Sequence, residues 1–67
     1  MNEIVYLIYD DLHGLQCVCK DKIKATEKVN NIAYNIYKLP KNTEPDYDDD
    51  ECYGFDGAAM WHRVEVE

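Results

Sequence analysis

The chain has 67 residues, 14 carboxylates against 7 lysines and arginines, a formal net charge of -7 and three cysteines. Such a length buries only about 60% of the surface its unfolded form exposes, which supports one small domain over residues 1–67 and excludes a multidomain enzyme with its own cofactor fold. Charge-driven binding to DNA or RNA is not expected, because displacing counterions from phosphates needs clustered Lys and Arg and this chain is acidic.

Ile4 to Tyr9 is an unbroken run of β-branched, aliphatic and aromatic residues, the pattern of a strand covered on both faces or flanked on both edges. Asp10-Asp11-Leu12-His13-Gly14 carries turn chemistry, and Leu15 to Cys19 reads as a second strand of the same hairpin. Asp21 then stands where a helix N-cap is needed. Ala25, Val29, Ile32, Ala33 and Ile36 follow at intervals that place them on one face of a helix from about 22 to 39. Leu39-Pro40 ends it.

Residues 40–57 hold both prolines, two of the three glycines and seven carboxylates without a sustained period, and are expected to form a long acidic loop. Met60, His62, Val64 and Val66 then alternate with Trp61, Arg63, Glu65 and Glu67 as a half-buried strand with one wet face. The expected fold is α+β: a ββαβ chain whose three-stranded sheet has the order 2-1-3 and carries one helix on one face.

The charge is uneven. Residues 1–43 hold six basic and five acidic side chains, whereas residues 44–67 hold one basic and nine acidic. The expected contact surface lies in that last third: Asp46, Tyr47, Asp48, Asp49, Asp50, Glu51, Tyr53, Phe55 and Asp56, with Trp61. Carboxylates spaced along such a segment can imitate phosphates and enter a basic cleft of another protein, with the aromatic rings as desolvated anchors. The competing reading is a solvated acidic loop that aids solubility. Tyr34 and Tyr37 on the helix are secondary contact candidates, pointing to the alternative of a self-assembling or interaction module that uses its helix face or a sheet edge. Lys20, Lys22, Lys24 and Lys28, diluted by Asp21 and Glu27, can neutralise the acidic segment from within the chain.

Other chemistries fit less well. Asp46, Asp48 and Asp50 match the first three positions of an EF-hand calcium loop, but Glu51 stands where the sharp turn needs Gly and Gly57 where the bidentate Glu belongs. His13, Cys17, Cys19, Cys52 and His62 lack a structural-zinc spacing. Neither metal nor cofactor is expected. Cys52 as a nucleophile with His62 as base needs a concave site that one helix on three strands does not offer, so the chain is not expected to be an enzyme. No basic stretch with an apolar segment opens the chain and no run is long enough to span a bilayer, so a cytoplasmic protein with reduced thiols and no membrane contact is expected.

Val5 to Tyr9, the helix start Asp21 to Ile32 with Ala25 and Val29 inward, and the closing strand Trp61 to Val66 resemble small ββαβ domains found in bacteria and their phages. In size, acidity and compactness the chain is similar to phage-encoded antagonists of host defence, a class that includes anti-CRISPR proteins and inhibitors of uracil-DNA glycosylase. That resemblance implies a phage or mobile-element inhibitor in the host-cell cytoplasm. Its partner would be a host protein with a basic nucleic-acid-binding cleft. No functional residue is carried over from either class.

Overall fold

A computed structural model describes residues 3–66 of the chain. Strand β1 (Glu3–Asp10) pairs antiparallel with β2 (Gly14–Cys19) on one side, through a turn that Gly14 closes at φ 75. A bulge opposite Ile8 and Tyr9 offsets the two strands by one residue. On its other side β1 pairs along its whole length with β5 (Ala59–Val66), from Glu3 opposite Val66 to Asp10 opposite Ala59.

The sheet expected to have three strands has five, in the order β2-β1-β5-β4-β3, with every neighbouring pair antiparallel. The general class is still α+β. The extra strands, β3 (Tyr47–Asp48) and β4 (Cys52–Phe55), come from the segment expected to be a loop. Two features hide them in the sequence. Their strands are two and four residues long, too short for an alternation to register. The second also contains Gly54, a residue depleted in strands, and here backbone proximity demands it: a Cβ would lie 2.3 Å from the Met60 Cβ, at φ 154.

Helix α1 (Lys22–Asn31) starts as the sequence indicates, with Asp21 Oδ1 accepting from the backbone N–H of Ile23 at 2.8 Å and of Lys24 at 3.4 Å. From Ile32 to Ile36 it widens into a π-helical turn, closed by Tyr37 N–H donating to Ile32 O and ended by Lys38 at φ 59. The wider turn moves the inward position along the chain. Ala25, Val29 and Ala33 are fully buried, but Ile36, expected on the same face, is 58% exposed, and Tyr37 packs against the core instead.

The core lies between this helix and one face of the sheet. It is built from Ile8 on β1, Phe55 on β4, Ala58 and Ala59 at the β4–β5 turn, and Trp61 on β5, packed on the three inward residues of the helix. Trp61 is the centrepiece. Its ring meets Tyr6 edge-on at 4.9 Å and stacks on Tyr53 at 6.1 Å, while its Nε1–H donates to Thr26 Oγ1 at 3.0 Å. The opposite face of the sheet has no described element over it. Alternation places Val5, Leu7 and Tyr9 of β1 there, beside Met60, His62, Val64 and Val66 of β5. No helix among the described residues is long and apolar enough to cross a membrane.

Candidate functional site

The acidic segment is an ordered hairpin, and two of its carboxylates make it so. Asp49 Oδ1 accepts from the backbone N–H of Glu51 at 2.8 Å and of Cys52 at 2.9 Å, which closes the turn between β3 and β4. These two bonds hold its carboxyl below the usual aspartate range, with only a weaker opposing pull from desolvation. Asp46 Oδ2 accepts from Asp56 N–H at 2.7 Å, and Asp46 N–H donates to Gly54 O at 2.9 Å, fixing the base of the hairpin. Both side chains are therefore committed to the backbone rather than to a partner.

The remaining charges project outward. Asp48, Asp50, Glu51 and Asp56 are all exposed, and the Asp50 side chain is 96% so. Lys22, at the start of the helix, reaches Asp50 at 3.3 Å, the internal neutralisation that the lysine cluster suggests. It also stands 5.9 Å from the Trp61 ring centroid. Tyr47 is 43% exposed and shares the uncovered side of the sheet with Gly54, its partner in the ladder.

The other expected aromatic anchors are absent from this surface. Phe55 and Trp61 are core residues with no side chain to offer a partner, because they lie on the strand faces that the helix covers. Tyr53 is half-buried, stacked on Trp61 and donating its hydroxyl to Asn30 Oδ1 at 2.8 Å. Desolvation keeps its phenol above the usual value. On the helix, Tyr34 meets Phe55 at 5.6 Å and donates to Thr43 O at 3.3 Å, so it too is partly withdrawn from the surface. Tyr37 is engaged elsewhere in the fold.

That engagement is a polar cluster the residue pattern does not reveal. Asp10, at the end of β1, is 3% exposed. Its Oδ1 accepts from the Tyr37 hydroxyl and from Leu12 N–H at 2.9 Å, and its Oδ2 lies 3.3 Å from His13 Nδ1. The Tyr37 bond is the foremost influence holding the Asp10 carboxyl low, against the upward pull of burial. Burial and the adjoining carboxylate push the Tyr37 phenol up. A hydrophobic strand ending in Asp is the one sequence signal, and Asp10-Asp11 at a turn conceals it. Beside the cluster is a shallow depression of about 250 Å³ between the β1 and β4 ends. Its rim bears Asp11 and Asp56, and its lining includes no serine, cysteine, histidine or lysine.

The three cysteines are free. Cys17 and Cys19 pack against the core, where desolvation raises the Cys19 thiol, and desolvation followed by the charge of Asp49 raises that of Cys52. Among the described residues no three His, Cys, Asp or Glu side chains gather as a metal site.

No family model, no curated protein and no solved structure matches this chain.

Proposed function

We propose that the protein is a small acidic binding protein that occupies the basic nucleic-acid-binding cleft of a partner protein. The observation that carries this reading is the division of labour within the hairpin: Asp46 and Asp49 order the backbone, while Asp48, Asp50 and Glu51 stand exposed on it. A fixed array of negative charge loses little conformational freedom on docking, which favours association over that of a floppy acidic tail. Charge steers the encounter, and Tyr47 is the aromatic contact. Recognition is electrostatic and needs no chemistry from the chain, so it acts as a blocker and not as a catalyst. An antagonist of this kind, carried by a phage or mobile element and acting in the host cytoplasm after the manner of anti-CRISPR proteins and other DNA mimics, is the biological setting it fits.

The test is affinity capture from a bacterial lysate with the wild-type chain and with a triple variant, Asp48→Asn, Asp50→Asn and Glu51→Gln, which leaves both structural aspartates intact. A nucleic-acid-binding protein should be retained by the wild type, displaced by excess duplex DNA, and released as salt shortens the Debye length from about 10 Å towards 3 Å. Association with it should be slower in the triple variant by about tenfold or more. Retention that neither DNA nor the triple substitution alters overturns the reading.

A further inference from the structure

The face of the sheet turned away from the helix has the composition of an interior. A sheet with one solvated face ordinarily alternates apolar and polar residues along each strand. In β1 this alternation is missing: Ile8 points into the core, yet Val5, Leu7 and Tyr9 on the other side are apolar too. From β2, Leu15 and Val18 join them at 53% and 54% exposure, and from β5 Val64 and Val66 at 36% and 45%.

We infer that this face is where two copies of the chain pack sheet against sheet. Charge distribution argues for a second copy. The molecule carries -7 overall, but the described strand residues on this face include one carboxylate, Glu3, at the end of the ladder and paired to Lys20 at 2.7 Å. Two copies can therefore meet here without bringing their carboxylates together, whereas the exposed carboxylates of the hairpin repel their equivalents. The same lack of unpaired cations gives an anionic lipid surface or a nucleic acid nothing to hold.

The size of the face agrees. Strands β2, β1, β5 and β4, of six, eight, eight and four residues, give a flat footprint of roughly 400 Å² at about 3.3 Å per residue and about 4.8 Å between strands. Side-chain relief raises the accessible area above that, towards the roughly 800 Å² per partner of a standard stable interface. Sheets packed this way lie about 10 Å apart with their strands within about 30° of each other. Leu7 and His62, opposite each other near the middle of the β1–β5 ladder, would then lie close to the two-fold axis.

Sedimentation equilibrium at about 100 µM tests the proposal, a concentration that populates a dimer of micromolar affinity. The wild type should give twice the 7.9 kDa chain mass. His62→Glu places a carboxylate at the centre of the face on a strand with neighbours on both sides, and should raise the dissociation constant at least tenfold with unchanged circular dichroism. A monomeric wild type overturns the proposal, and so does a dimer indifferent to His62→Glu, which would mark pairing through the β2 edge. Should that variant fail to fold, a mixture of isotope-labelled and unlabelled wild-type chains decides: intermolecular contacts should join the Leu7, Val18 and Val64 methyl groups, and contacts confined to the β2 backbone overturn it.

Discussion

Asp10 shows how much of this small fold depends on single polar side chains. Its carboxylate ends the central strand and simultaneously receives the Tyr37 hydroxyl from the helix terminus and the Leu12 N–H from the turn. Three separate parts of the chain thus converge on one group. The folded protein favours the charged form, so the Asp10 contribution to stability is fully present above the ordinary aspartate value of about 3.9 and is lost as pH falls through the lower folded value. Tyr37 has the opposite sense: its contribution is present below the usual phenol value of about 10 and is lost as pH rises through the raised folded one. Urea titrations between neutral pH and pH 3 should show the wild type losing stability with acid, and Asp10→Asn, whose amide oxygen can still accept from Leu12 and Tyr37, should lose less. An equal loss in both would remove Asp10 from the account and leave Asp49, also held low, as the responsible carboxylate.

Among the elements, the β3–β4 hairpin is the most demanding of its sequence. Gly54 lets two backbones approach so closely that no side chain fits, and its positive φ adds strain for any other residue. Gly54→Ala should destabilise the fold by on the order of 3 kcal/mol in chemical denaturation. That is most of the roughly 3–5 kcal/mol a domain of this size commands. Local signals mark the helix start clearly, because a cap works within one turn: Asp21 needs only its own neighbours. The far end is illegible for the opposite reason. Whether residues 32–36 continue as an α-helix or widen depends on where Tyr37 must reach, and its target, Asp10, lies 27 residues away. The hairpin suffers similarly. Its strands exist because β5 offers a free edge, with Cys52 opposite His62 and Phe55 opposite Ala59, and nothing within 40–57 announces that edge.

At the scale of the whole molecule, alternation in β5 identifies the strand but misleads about its inside. Met60, His62, Val64 and Val66 form the more apolar set, yet Ala59 and Trp61 face the core, with Arg63 and Glu65 continuing on that side. Hydrophobicity alone does not orient a strand when both faces are apolar. The candidate site was legible as charge and not as contact: the exposed carboxylates are where the sequence places them, but the Trp61 and Phe55 rings among them build the interior. The same crowding of charge has a global cost. With nine acidic side chains beyond residue 43, self-repulsion should make the thermal midpoint rise as sodium chloride increases from about 0.02 M to 0.5 M, the range over which screening shortens most. A midpoint that falls instead would assign greater weight to ion pairs such as Lys22 with Asp50. Finally, the β1–β5 ladder joins residue 3 to residue 66. Strand β1 can pair early with β2, which follows it directly, but its other edge must wait for β5 before the centre of the sheet can close, so the domain folds late in its own synthesis, and until then the hydrophobic run from Ile4 to Tyr9 keeps one edge unpaired and open to chaperones.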